Sequence, residues 1–206
     1  MSIVLFSTRS LLVALAITAP LAALAAPVMR TVDFKTLPKA TRYEGKVAHA
    51  VEWKDSAGNN LAIFTQRTVA SNNSKYLRAY HYVNAGSGWS LSREVKDQFE
   101  KCGDADNLTA FVKSSIQVTD LDNNGIGELW FGYHVDCASD VSPVRSKLLV
   151  LEGGNKAILR GSTAVRPCAD CRVEGGSYKP EPPPGAWKPA VVSRAKAEWK
   201  RLFAKP

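Results

Sequence analysis

The sequence lacks the short motifs that define many enzyme classes. It contains no G-x-S-x-G nucleophile elbow, no phosphate-binding Walker loop, no dinucleotide fingerprint and no H-E-x-x-H metal motif. Histidine is scarce as well: the chain has 3, His49, His81 and His134, and none of them has metal-ligand spacing. The sequence therefore gives no motif-based support for a serine hydrolase, a nucleotide-binding enzyme or a zinc protease, and it favours a non-catalytic role.

Long apolar runs are absent too, except near the start of the chain. Residues 1–25 contain one charged side chain, Arg9, a short apolar core over 11–17 and the small residues of an A-x-A cleavage site over 23–25. This pattern is typical of a secretory signal peptide, and we expect cleavage after Ala25. The alternative is an uncleaved anchor, but the core is short for a span of about 20 residues. We predict a periplasmic or secreted protein with no transmembrane segment after cleavage.

Acidic residues are fewer than basic ones, 19 against 27, and the formal net charge is +8. The basic residues are scattered, except for a concentration between Lys188 and Lys205. A moderate positive charge helps to keep an exported protein soluble, and it also attracts anionic polymers of the cell envelope. No nucleic-acid-binding motif accompanies the charge, so a nucleic-acid partner is not expected.

Cysteine is present in an even number, 4 in the chain. In an oxidising compartment this predicts disulfides, and we expect the pairs Cys102–Cys137 and Cys168–Cys171 among the three pairings that are possible. The second pair also matches the C-x-x-C redox motif, which needs a helix N-terminus to lower the thiol pKa. Two glycines at 175–176 argue against such a helix and favour a structural staple. A four-cysteine zinc site is less favoured, since only one pair is close in sequence.

The fold class predicted by the side-chain pattern is mainly β, with an antiparallel sheet arranged as a meander or a sandwich. Apolar and polar residues alternate over 43–53, 111–119 and 129–135, and turn-rich segments such as 55–60 lie between the apolar runs. In the third of these segments, we expect one face to carry Leu129, Phe131, Tyr133 and Val135. Recurring turns between short strands favour hairpins over alternating strands and helices.

The last part of the chain has a different composition. Residues 179–188 are rich in proline and predict an extended linker, so the exported β domain is expected over 26–178. Residues 189–206 predict a C-terminal α-helix that packs on the domain. Its apolar side is expected to carry Val192, Ala195, Trp199, Leu202 and Phe203. The alternative is an amphipathic helix on a membrane surface.

The strongest candidate for a ligand site is the acidic segment 120–128. Side-chain oxygens stand at its positions 1, 3, 5 and 9, a glycine stands at position 6, and the backbone carbonyl of position 7 is also available. This spacing suits calcium, and the predicted ligands are Asp120, Asp122, Asn124, Ile126 and Glu128. The segment is not an EF-hand, because position 12 is Phe131 and no helices are expected on either side. The alternative is a polar hairpin tip without metal.

Two resemblances involve this segment. The strand–loop–strand pattern resembles the calcium loops of integrin-type FG-GAP repeats, with an amide at Asn124 in place of a carboxylate. Three blocks, over 118–128, 137–143 and 151–161, together resemble an exported bacterial family of surface polysaccharide biosynthesis proteins. The resemblance implies a role in making or maintaining cell-surface polysaccharide, and it implies no reaction and no catalytic residues.

These observations favour an exported, non-catalytic envelope protein that supports surface polysaccharide assembly or binds a glycan, with a structural calcium loop. Its expected partner is an envelope glycan or an envelope protein. Two alternatives stay open. One is an enzyme acting on envelope glycans, with an acid near Asp136 or Asp140. The other is a periplasmic inhibitor or immunity protein with a tight protein partner.

Overall fold

The computed structural model describes residues 26–206, so the predicted signal peptide over 1–25 lies outside the described residues. The described chain is mainly β, as predicted, and it is built from two five-stranded antiparallel sheets with one C-terminal helix. The first sheet is a meander in which each strand pairs with the next along the chain. Its strands are β1 (Arg30–Thr31), β2 (Lys46–Asp55), β3 (Gly58–Val69), β4 (Ser74–Asn84) and β5 (Ser90–Phe99).

The second sheet has the strand order β14-β11-β10-β8-β7. These strands are β7 (Ala110–Thr119), β8 (Glu128–His134), β10 (Arg145–Glu152), β11 (Asn155–Ser162) and β14 (Tyr178–Glu181). The start of the predicted proline-rich linker therefore lies in β14, where it pairs with β11. Two short ladders complete the strands: β6 (Asp106–Asn107) with β9 (Cys137–Ala138), and β12 (Ala164–Val165) with β13 (Glu174–Gly175).

The main core lies between the two sheets, because alternate residues of both sheets point inwards. The predicted inward face of β8 is confirmed, since Leu129, Phe131, Tyr133 and the following Val135 all belong to this core. Phe64 of β3 meets Phe131 edge to face, with ring centroids 5.2 Å apart. A second apolar cluster covers the outer face of the first sheet.

The C-terminal helix α1 spans Pro189–Leu202 and packs against the outer face of the second sheet. Its buried apolar side chains are those of Val191, Ala195, Trp199 and, just after the helix, Phe203. The structure buries Val191 where we expected Val192, which stays half-buried. Within residues 26–206 no helix has the length and apolar character needed to cross a membrane.

The disulfides are Cys102–Cys137 and Cys168–Cys171, as predicted. The first joins the segment after β5 to β9. It lies at the end of β7 and β8 opposite the acidic segment, because Ala110 pairs with His134 at that end. The two cysteines bracket the acidic segment in sequence but hold the far end of its strands.

The second disulfide closes a local turn, in which the backbone N–H of Cys171 donates to the carbonyl of Cys168 at 3.1 Å. The next element along the chain is the short strand β13, which is not a helix. The turn therefore lacks the helix N-terminus that would activate a C-x-x-C thiol.

Candidate metal centre

The acidic segment forms the connection between β7 and β8 and folds back on its own side chains. One carboxylate oxygen of Asp120 accepts from the N–H of Asn124 at 3.1 Å, and the other accepts from Gly125 N–H at 3.0 Å. Asn123 and Gly125 have φ angles of 55° and 80°, in the left-handed region that Asn and Gly adopt most readily. The sequence Asn-Asn-Gly is therefore what lets this loop turn.

The fold brings three of the predicted ligands together. Carboxylate oxygens of Asp120, Asp122 and Glu128 all lie within 4.8 Å of one another. Glu128 is fully buried, and one of its oxygens accepts from the Thr119 hydroxyl at 2.7 Å while both are 3.0 Å from the N–H of Leu121. The cluster thus brings together three carboxylate oxygens, the ligand type that a hard cation prefers.

Burial shapes the charge state of this cluster. It raises the pKa of Glu128 above its usual value, and the nearby Glu152 and Asp122 carboxylates add to that rise, although the bonds from Thr119 and Leu121 oppose it. A buried carboxyl close to other carboxylates stabilises any bound cation, because the cation removes the repulsion among them.

Asn124 and Ile126, the two remaining predicted ligands, are linked to each other. The side-chain oxygen of Asn124 accepts from the N–H of Ile126 at 2.7 Å. The Asn124 amide nitrogen donates to Asp122 at 3.2 Å and to Glu152. The Asn124 side chain is thus held inside the loop by its neighbours, and its oxygen is already used by the backbone of the loop.

Two residues that the sequence did not suggest complete the cluster: Glu152, from the end of β10, and Lys188, at the start of α1. The Lys188 ammonium forms ion pairs with Asp122 and, at 2.7 Å, with Glu152. Burial alone would raise the pKa of Asp122, but the Lys188 ammonium and the N–H of Asn124 lower it overall. The carboxylates of Asp122 and Glu152 in turn raise the pKa of Lys188. The ammonium of Lys188 therefore offsets part of the negative charge of the loop.

The loop is also attached to the first sheet through the β2–β3 hairpin. Asp55 accepts from the N–H of Gly127 at 2.9 Å and from the indole N–H of Trp53 at 3.0 Å. Ser56 donates to the carbonyl of Gly125 from its backbone at 2.8 Å and from its hydroxyl at 2.7 Å. The acidic loop of the second sheet is thus hydrogen-bonded to the first sheet through this hairpin.

The acids that were alternative candidates are used by the fold. Asp136 accepts from the backbone N–H of Arg145 at 2.7 Å and forms an ion pair with its side chain at 3.2 Å. Asp140 is exposed and accepts from the Ser142 hydroxyl at 2.7 Å. Asp136 therefore holds a turn, and Asp140 lies at the surface with a single hydroxyl partner.

The three histidines each pack in a different place. His81 stacks on Trp53 with ring centroids 5.1 Å apart, and His134 meets Phe203 edge to face at 5.5 Å. His49 lies 6.5 Å from the ring of Phe64. Each histidine therefore contacts an aromatic ring of the sandwich, and none contributes to the acidic cluster.

No protein-family model, curated protein or solved structure matches this chain.

Proposed function

We propose that this chain is an exported, non-catalytic envelope protein that supports surface polysaccharide assembly or binds a glycan, and that its β7–β8 loop holds a structural calcium ion. The convergence of Asp120, Asp122 and Glu128 supports the calcium site. Two disulfides fit an oxidising compartment. The resemblance of the blocks 118–128, 137–143 and 151–161 to surface polysaccharide biosynthesis proteins supports the envelope role.

The calcium proposal includes an exchange of cations. The Lys188 ammonium contacts the Asp122 carboxylate, so a calcium ion bound by Asp122 has to displace it. Calcium carries two positive charges where the Lys188 ammonium carries one, and three carboxylates lie beside this position. The ligand shell of calcium also has room for the carbonyl of Ile126 and for water. Calcium affinity should therefore be limited by competition from Lys188.

Calcium titration of the purified protein by calorimetry tests the metal. We expect saturable binding, lost in Asp122→Ala and strengthened in Lys188→Met, since the methionine removes the competing ammonium. Asp140→Ala is the matched control, because it removes an exposed carboxylate outside the loop. At a free calcium concentration 100 times Kd, the folded state should gain about 2.7 kcal/mol. An absence of binding heat together with an unchanged melting temperature would reject the calcium site.

The envelope role is tested in cells. Deletion of the gene should change the amount or the chain-length profile of the surface polysaccharide, and expression of the wild-type protein should restore it. Complementation with Asp122→Ala then shows whether this role depends on the loop. An unchanged polysaccharide profile in the deletion strain would rule out the biosynthetic role.

A further inference from the structure

A cleft of about 650 Å³ lies on the first sheet, at the same end as the β2–β3 hairpin. Its volume falls in the range of about 300–1,000 Å³ that is usual for small-molecule sites. The sheet register explains its lining: Arg30 pairs with Glu52, and Lys54 pairs with Asn59. All four side chains are exposed. The cleft therefore presents two cations, one carboxylate and one amide along neighbouring strands.

Trp89 forms a wall of this cleft. It is half-buried and packs against the apolar cluster on the outer face of the first sheet. Trp89 and Glu52 also line a second cleft of about 240 Å³, so the two clefts adjoin at these residues. An aromatic ring shared by two adjoining clefts suits a ligand longer than a single ring.

The turn before Trp89 is closed by a side chain of its own. The side-chain oxygen of Asn84 accepts from the N–H groups of Gly86 and Gly88 at 2.9 and 3.2 Å. Both glycines have a φ of 109°, a conformation that other residues rarely adopt. The backbone turn that leads into Trp89 is thus stabilised by its own hydrogen bonds.

The charged side chains of the larger cleft have no polar side-chain partner within the described part of the chain. Within residues 26–206, Arg30, Glu52 and Lys54 form no ion pair and no side-chain hydrogen bond, although Arg30 and Glu52 are direct cross-strand neighbours. In the larger cleft the two cations outnumber the one carboxylate, Asp33 lines the smaller cleft, and the whole chain carries a net charge of +8. A ligand with carboxylates of its own fits this balance, because a guanidinium and an ammonium both bind them well.

We infer that this cleft binds an acidic oligosaccharide, with a sugar ring stacked on Trp89 and a uronate carboxylate paired with Arg30 or Lys54. Sugar rings have an apolar C–H face that suits an indole, and their hydroxyls suit the amide of Asn59 and the carboxylate of Glu52. This inference rests on the proposed glycan-binding role and adds the place and the chemical class of the glycan.

Binding of a galacturonic acid pentamer to the purified protein, measured by calorimetry in EDTA, tests the assignment. EDTA prevents calcium from bridging the uronates. Trp89→Ala should weaken binding by about tenfold or more, as expected for an aromatic residue at the centre of a contact. Trp187→Ala is the matched control, since Trp187 is also half-buried but lies beside α1. Trp89→Phe, which keeps an aromatic ring, should retain part of the affinity and the wild-type melting temperature.

Two lysine variants test how much charge contributes to binding of the pentamer. Lys54→Gln should weaken binding of the pentamer and make it less sensitive to salt, whereas Lys46→Gln, an exposed position at the other end of β2, should not. Neutral maltopentaose should bind more weakly than the galacturonate. Equal affinity for hexaglutamate would overturn the saccharide assignment in favour of an acidic peptide.

The outcomes separate this inference from the proposed function. If the pentamer binds wild type and Trp89→Ala equally well, the cleft assignment is wrong and glycan binding takes place elsewhere on the protein. If the pentamer does not bind at all, the acidic-oligosaccharide inference is wrong, while the polysaccharide profile of the deletion strain still decides the envelope role.

Discussion

Replacement of Trp199 by alanine tests whether α1 is an integral part of the domain. Trp199 is 1% exposed, its ring lies 4.8 Å from that of Phe203, and its indole N–H donates to the carbonyl of Gly176 at 2.8 Å. Truncation of a buried tryptophan costs about 3–5 kcal/mol, and the lost hydrogen bond adds about 1 kcal/mol. Since a domain is stable by only about 5–15 kcal/mol, the loss should be a large fraction of the total.

The assay is urea denaturation followed by circular dichroism, with a thermal scan beside it. For a chain of this size, a loss of about 4–6 kcal/mol should lower the melting temperature by about 8–24 °C. Trp187→Ala, at a half-buried position, should cost much less. If Trp199→Ala costs no more than Trp187→Ala, the docked helix contributes little to folding, and a membrane-surface role for α1 would have to be reconsidered.

Three further changes test other parts of the sandwich. Gly127→Ala adds a Cβ only 2.6 Å from the Trp53 indole nitrogen, so it should cost about 1–3 kcal/mol in denaturation experiments; no loss would mean that the loop contact adjusts freely. Burial lowers the pKa of His81 to about 4, so the unfolded chain binds a proton more readily between pH 6.5 and 4, and stability should fall by about 3 kcal/mol as the pH falls through that range. His81→Asn should remove this part of the pH profile, and an unchanged profile would refute it. Replacing Cys102 and Cys137 by alanine should cost about 2–5 kcal/mol, and a loss below 1 kcal/mol would show that the sheets hold this end without the bond.

The parts of the fold that could be predicted from the sequence are those that local periodicity determines. The two-residue alternation from Leu129 to Val135 gave the inward face of β8, and apolar residues three to four positions apart indicated α1. The predicted helix face was wrong by one residue, Val192 in place of Val191, because both valines fit a broad apolar stripe. The segment 94–102, which is charged and has no clear period, gave no prediction of β5.

Register could not be predicted in the same way. The β7–β8 ladder is interrupted between Val112 and Gln117, and the hydroxyl of Ser115 inside this bulge accepts from the N–H of Gly132 at 2.6 Å. Such a bulge depends on cross-strand contacts that no local pattern encodes.

The residues of the candidate site also fall into two groups, those that the local sequence predicts and those that depend on tertiary packing. Asp120, Asp122 and Glu128 were predicted because the spacing of a tight loop brings them together whatever surrounds it. Glu152 and Lys188 were not, because they reach the loop only after β10 and α1 have packed. The ammonium of Lys188 thus gives the loop carboxylates a counter-charge that the sequence pattern does not indicate.

The two ends of the sandwich are held by different chemistry, and this should determine how the protein opens by local unfolding. At one end Cys102–Cys137 is a covalent tether, whereas at the other the sheets meet through the polar contacts of Asp55 and Ser56 with the acidic loop. Transient separation of the sheets should therefore begin at the loop end, and amide hydrogens there should exchange first. The proposed calcium ion would slow exchange at that end alone, so the calcium concentration would control how often the sandwich opens without changing its folded architecture.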